Sequence, residues 1–497
     1  MAEKDKKNED KKSDDKPAAK EPEDRTVTTQ HTVKVRGKEL KYTATVGTVV
    51  LREEVDKEGH KAKAEMFFVS FTRDGVRNRA RRPITFSFNG GPGSSSVWML
   101  LGLLGPRRVP LSKDQNERLA PPYQLTDNEY TLLEESDLVF IDPIGTGYSR
   151  AIHGEESNPD EFFSFRRDLD SVGEFIRLFV SRNERWASPK FLIGESYGTT
   201  RAAGLSGHLQ DRHGLFLNGV MLVSVVLNFQ TLLFRAGNDL PFVLYLPSYA
   251  LTARYHGKLA AKYQRMDEQK FIAEVRQFAE TEYNVALMQG DRLSAADEEH
   301  IAKKVSGYTG LSEQYVKGSN LRIEIMRFTK ELLRTDSKNL GRFDSRIVGI
   351  DKDDVAENFE RDPSFDIVHG VYSACLNDFV RRELKFESDL PYEILSFKIL
   401  PKWKYDEFEN SYVNTAETLR GAMMKNPNLK VFVANGYYDL ATPFFATEYT
   451  FDHLGLRGGL QANIEMGYYH AGHMMYVNKD SLASLSRDLK AFVKRAS

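Results

Sequence analysis

One cysteine, Cys375, stands in a chain of 497 residues. A single thiol closes no internal disulfide, so the fold must rest on buried apolar surface, which a chain of this length supplies without covalent staples. Long apolar runs are missing too. No stretch of about 18 uninterrupted apolar residues occurs, so no membrane-spanning helix is expected. Net charge is also absent: 69 Lys and Arg face 71 Asp and Glu. That balance argues against a polyanion such as nucleic acid as a partner. No His, Cys or acidic cluster shows metal-ligand spacing, and the glycine loops fit neither a Walker nor a dinucleotide fingerprint. No metal and no cofactor are expected.

The even balance conceals a segregated segment. Residues 1–25 carry eight basic and nine acidic side chains and no aromatic or branched apolar one. Such a stretch buries too little surface to offset chain entropy, and a disordered tail over residues 1–26 is expected. It has no apolar core of a signal peptide. The chain as written reads as cytoplasmic; removal of a signal ahead of Met1 would instead make it periplasmic or secreted.

Beyond the tail the pattern is globular. Thr32 to Val35, Lys41 to Leu51 and Ala64 to Phe71 read as strands. Four later runs are short, continuous and apolar, and each leads into a glycine-bearing loop or turn. Pro83 to Phe88 enters Asn89-Gly90-Gly91-Pro92-Gly93, Asp137 to Ile141 enters Asp142-Pro143-Ile144-Gly145-Thr146-Gly147, Phe191 to Ile193 enters Gly194, and Lys430 to Ala434 enters Asn435-Gly436. Gly219 to Val225 is a further run. Helical patterns such as Asp168 to Arg182 and Thr199 to Gln210 lie between them. Continuous apolar strands alternating with helices predict a mostly parallel sheet covered on both faces, with ligand sites beyond the carboxyl ends of its strands. From 226 to about 420 amphipathic helical stretches dominate, including Glu268 to Tyr283 and Ser294 to Val305. The expected organisation is a core over 27–225 and 421–497, split by a mainly helical cap insertion over 226–420.

Gly194-Glu195-Ser196-Tyr197-Gly198 matches G-x-S-x-G between a strand and a helical pattern, the context of a nucleophile elbow. A serine hydroxyl needs a histidine base oriented by a carboxylate. In the α/β-hydrolase arrangement these follow in the order Ser, Asp, His. Asp439 closes Asn435-Gly436-Tyr437-Tyr438-Asp439 after a strand, and two histidines follow in Tyr469-His470-Ala471-Gly472-His473-Met474. Spacing alone does not choose between His470 and His473. Acyl transfer also needs oxyanion donors. The N–H after the nucleophile, that of Tyr197, is one candidate, and the glycine loop from Asn89 to Gly93 is the source of the other.

Together these motifs resemble the serine carboxypeptidases, which carry N-G-G-P-G-C-S-S, E-L-G-P, G-E-S-Y-A/G-G, a late G-D-x-D and G-A-G-H-M. Here the chain reads Asn89 to Ser96, Leu103-Leu104-Gly105-Pro106, Gly194 to Gly198, Gly436 to Asp439 and Ala471-Gly472-His473-Met474. A weaker match joins Asp362-Pro363-Ser364 and Leu376-Asn377-Asp378-Phe379. The resemblance implies an α/β-hydrolase fold with a helical cap and a carboxypeptidase that releases C-terminal amino acids from peptides. It implies Ser196 as nucleophile, Asp439 as orienting acid, His473 as base and the N–H groups of Gly91 and Tyr197 as oxyanion donors. Asn89, Gly90 and Glu195 would recognise the substrate carboxylate, Glu195 doing so with a proton, and Met474 would line the leaving-group pocket.

The departures are specific. The family's second glutamate is Leu103, its loop tryptophan is Ser87 and its loop cysteine is Ser94, which makes this a disulfide-free, bacterial-type version. The triad is untouched, but the departures bear on carboxylate recognition and on the acidic working pH that the resemblance implies. An acyltransferase or esterase on the same triad is therefore the alternative, and a non-catalytic binding protein is a third. Arg107-Arg108 reads as a solvated pair or a spare cation for a carboxylate, His470 as a neighbour of the base, and Cys375 as buried and inert. The sequence is compatible with a monomer or a homodimer.

Overall fold

The computed structural model describes residues 22–55, 59–110, 116–152 and 158–497. Most of the expected tail lies outside them, and the first strand already begins at Arg25, inside the tail's expected boundary. Strands β1 (Arg25–Val35), β2 (Lys38–Val55) and β3 (Gly59–Arg73) form an antiparallel meander. Then come β4 (Ile84–Phe88), β5 (Asp137–Ile141), β6 (Lys190–Ser196), β7 (Gly219–Val225), β8 (Lys430–Gly436) and β9 (Ile464–Tyr469). The sheet runs β1-β2-β3-β5-β4-β6-β7-β8-β9. β5 is antiparallel to β3, and every pairing from β5 to β9 is parallel. This is the α/β-hydrolase fold.

Alternate residues of each strand enter different cores, which is why the strands read as unbroken apolar runs. Phe191 and Ile193 of β6 face one core, with Val97 to Leu104 and helix α7 (Lys479–Ala496). Leu192 faces the other, with α1 (Phe165–Arg182) and α2 (Tyr197–His213). β9 (IEMGYY) lacks such a run because it is the edge strand and only half-buried.

Within 226–420 the helices divide. α3 (Leu240–Tyr255), α4 (Glu268–Phe278) and α5 (Ala295–Thr309) build a third core of their own. α5 starts where Ser294 Oγ accepts the Asp297 N–H at 3.1 Å, satisfying an orphan donor. α6 (Pro363–Asp378) instead joins the first core, where its Phe365 and Tyr372 meet Trp98. The third core also takes in Tyr437, Tyr438 and Leu440, next to the acid expected at 439.

Candidate active site

β6 turns into α2 at Ser196, whose φ of 60° and ψ of −130° are unusual for a side-chain-bearing residue. The flanking glycines are needed for space. A Cβ on Gly194 would lie 2.0 Å from the Gly198 carbonyl oxygen, and one on Gly198 would lie 2.8 Å from that of Phe88. Strand, helix and glycine loop thus approach one another at backbone distance, and the turn lifts Ser196 to the carboxyl end of the sheet.

Asp439 and His473 arrive at the same end, after β8 and β9. His473 Nδ1 lies 2.8 Å from Asp439 Oδ2, and both residues are buried. Asp439 accepts the N–H groups of Ala441 and Thr442 at 2.8 and 2.9 Å and the Thr442 hydroxyl at 2.7 Å. Burial alone would lower the His473 pKa. The charge and hydrogen bond of Asp439, with the charge of Glu195, outweigh it and raise the pKa above the ordinary value. The two candidate histidines separate cleanly. His470 is exposed and lies 3.4 Å from Glu268, whereas His473 bonds the acid.

The glycine loop packs directly on the elbow. A Cβ on Gly90 would fall 2.5 Å from the Tyr197 nitrogen and 2.8 Å from Ser196 Cβ, so only glycine brings this backbone so close. Gly91 has φ 104°. Neither the Gly91 nor the Tyr197 N–H donates to a described acceptor outside regular helix and strand pairing. Behind the loop lies Arg201 of α2, fully buried, a residue that sequence patterning did not single out. Its Nε donates to Asp168 Oδ2 at 2.8 Å and its Nη1 to the Asn89 carbonyl at 2.7 Å. A charged residue in a helix reads as surface unless its partner, here on α1, is known.

Asn89 Nδ2 donates to Glu195 Oε1 at 3.0 Å, while Asn89 Oδ1 accepts the Met99 N–H at 3.1 Å. Burial pushes the Glu195 carboxyl up to about 7, against the favourable charge of His473. The Tyr476 phenol lies beside it, yet neither the Tyr476 hydroxyl nor Glu195 Oε2 has a partner of normal geometry. Leu103 is buried in the first core and brings no acid to this corner. Met474 is half-buried against the same core. Arg107 is not a solvated residue: it pairs with Asp127 at 2.6 Å and Glu383 at 3.2 Å. Arg108 Nη1 donates to the Val109 carbonyl at 3.3 Å. Burial raises the Cys375 thiol to about 11, so it stays unreactive near neutrality.

A segment that the motifs did not reveal holds the acid and base loops together. Residues 341–347 accept the His473 N–H at the Phe343 carbonyl (2.5 Å) and the Leu440 N–H at the Arg342 carbonyl (3.1 Å), and donate the Ser345 N–H to Tyr438 (3.0 Å). Asp344 pairs with Arg346 at 2.6 Å and accepts the Gly472 N–H at 3.1 Å, and Arg346 reaches the His470 carbonyl at 2.7 Å. Among the described residues no group of three or more His, Cys, Asp or Glu is placed to hold a metal, and no helix is long and apolar enough to cross a membrane.

The pheromone-processing carboxypeptidase KEX1 of Saccharomyces cerevisiae is 32% identical over 157 residues, which span 30% of this chain and 20% of that protein. Serine carboxypeptidase-like 5 of Arabidopsis thaliana is 27% identical over 141 residues, 28% of this chain and 30% of its own length. The matched stretches thus cover less than a third of these relatives. The crystal structure of a prohormone-processing carboxypeptidase from S. cerevisiae superposes with a TM-score of 0.56 at 18% identity, covering 91% of each chain, and so shares the fold. The model of the serine carboxypeptidase family, Peptidase S10, matches residues 55–484, and the chain belongs to that family.

Proposed function

We propose that this chain is a serine-type carboxypeptidase acting on peptides with a free C-terminus. The observation that carries the proposal is the buried Asp439–His473 hydrogen bond of 2.8 Å at the strand end that also bears the strained Ser196. Ser196 Oγ attacks the last peptide carbonyl while His473 takes its proton. Asp439 holds the Nδ1–H tautomer and stabilises the imidazolium. The N–H groups of Gly91 and Tyr197 receive the developing oxyanion. His473 returns the proton to the departing amine, and water then releases the acyl group. Glu195, protonated over part of its range, donates to the substrate carboxylate beside Asn89 and the Gly90 backbone. The helical segment over 226–420 acts as the cap on the peptide-binding side, and Met474 borders the leaving group.

Replacement of Ser196 with Ala tests this directly. It should abolish release of free amino acids from N-blocked dipeptides and abolish labelling by a fluorophosphonate. Full activity in the variant would sink the assignment. The buried Leu103 favours a second reading, in which an acceptor other than water takes the acyl group or an ester is the substrate. Equal turnover of free-acid and amidated dipeptides would favour that reading.

A further inference from the structure

Arg342 lies in the segment that joins the acid and base loops. Its guanidinium carbon sits 4.8 Å from the centroid of the Phe343 ring, and that ring lies 5.0 Å from the His473 imidazole at 35°. Among the described residues the guanidinium has no ion-pair partner. Asp362 feels its charge, but the Asp362 oxygens accept the N–H groups of Arg342 and Ser364 and the Ser364 hydroxyl. The positive charge instead reaches the site. It opposes the stronger pull of Asp439 on the His473 proton, and it is felt by Tyr245, a buried phenol whose pKa burial raises.

Mechanism indicates which part of a substrate comes here. His473 must hand its proton to the departing amine, so groups beside His473 face the residue being released. A row of rings continues from this point. Phe343 meets Phe365 at 6.3 Å, Phe365 meets Trp98 at 6.0 Å, and Trp98 meets Tyr372 at 5.0 Å. Tyr372 in turn feels the charge of Glu195. The row links the Arg342 corner to the Glu195 corner. At the Glu195 corner, Leu103 stands where the family has a second acid, and at the other end of the row the Arg342 guanidinium has no ion-pair partner among the described residues, although Asp362 feels its charge. A guanidinium on an aromatic face, with its donors free, is suited to bind a carboxylate through two parallel hydrogen bonds.

We propose that Arg342 binds a carboxylate of the residue being released, a cation supplied by the insertion to a site in which the family's second acid is Leu103. This rests on the carboxypeptidase reading above. The carboxylate is either the C-terminal one or an acidic side chain of the last residue, and the substrates below separate the two.

The test compares wild type with Arg342→Met and Arg342→Lys on four N-blocked substrates: Phe-Leu acid, Phe-Leu amide, Phe-Glu amide and a phenylalanine ethyl ester. If the C-terminal carboxylate is bound, Arg342→Met raises KM for Phe-Leu acid by about tenfold or more, the size of a charge-assisted hydrogen bond. Its kcat stays within twofold, the amides and the ester are unaffected, and Arg342→Lys recovers part of the loss. A KM increase on Phe-Glu amide alone supports the proposal with the side chain as the source. Unchanged KM on every substrate overturns it, and so does equal loss on all four including the ester, which would mark a general structural effect. Calorimetric titration of Ser196→Ala protein with N-blocked leucine, with and without Arg342→Met, reads the same contact without turnover. Equal affinities there overturn the C-terminal assignment. If wild type and Ser196→Ala cleave the ester equally, it is the Ser196 reading that has failed and not this one.

Discussion

Asp439 and Asp344 are two buried carboxylates within the same group of loops, and their charges are used differently. Asp439, in the core, has N–H and hydroxyl donors and one imidazole around it, but no described cation. Asp344, in the insertion, faces its own guanidinium: Arg346 Nη2 at 2.6 Å and Nε at 2.9 Å. The donors around Asp439 are neutral and do not cancel its field, so the field remains directed at His473, where a proton arrives and leaves. The Asp344 charge is cancelled locally, and what remains is a rigid bracket that takes the Gly472 N–H and, through Arg346, the His470 carbonyl. Where a proton moves, the charge is left uncompensated. Where only position matters, it is paired.

The sharpest way to break this contrast is Asp439→Asn. It keeps the shape but disturbs the histidine tautomer, and kcat should fall on the order of 10⁴-fold, as expected for loss of the orienting acid in a Ser-His-Asp site. The loss should be equal on ester and peptide substrates. Asp344→Asn should do the reverse. Removing one partner of a buried pair strands Arg346 and should lower stability by roughly 3–5 kcal/mol, read as a drop in the urea midpoint. Ester kcat, measured where the variant is fully folded, should change far less than in Asp439→Asn. Equal kcat losses in the two variants would erase the distinction.

The contrast also explains what could be read beforehand. Ser196, Asp439 and the loop from Asn89 to Gly93 sit in short motifs because each needs a particular backbone: Gly194 and Gly198 for closeness, Gly90 for its approach to Tyr197. The apolar strands were legible because both sheet faces are covered, and the half-buried β9 was missed for the opposite reason. Spacing left His470 and His473 equivalent, since only their distances to Asp439 and Glu268 distinguish them. The segment 341–347 left no trace in periodicity or motif, because much of its work is done by carbonyls and N–H groups that every residue possesses. Arg201 was invisible because its partners, Asp168 and the Asn89 carbonyl, are distant in sequence.

Glu195 is a third buried carboxylate and sharpens the comparison with the smallest effect. It has one amide donor and no described cation in contact, and burial lifts it to about 7. If its protonated form receives the substrate carboxylate, that form is present below about 7 and is lost as pH rises. His473 must be neutral to act as base, and its pKa is raised, so that requirement is met only as pH rises above the ordinary histidine range. The two limits oppose each other. For free-acid peptides kcat/KM should be a narrow bell near neutrality, whereas the ethyl ester should lack the alkaline limb. Glu195→Gln keeps a donor at every pH, so the alkaline limb should disappear for free-acid peptides while activity near the peak changes only a few-fold. The same substitution removes a negative charge that holds the proton on His473, so the acid limb should move to lower pH. An alkaline limb that survives unchanged would assign it to another group, and an acid limb that stays in place would mean that Glu195 does not act on the base. Because one substitution should move the two limbs by different mechanisms, the profile separates a carboxylate that meets substrate from one that only sets the field around His473.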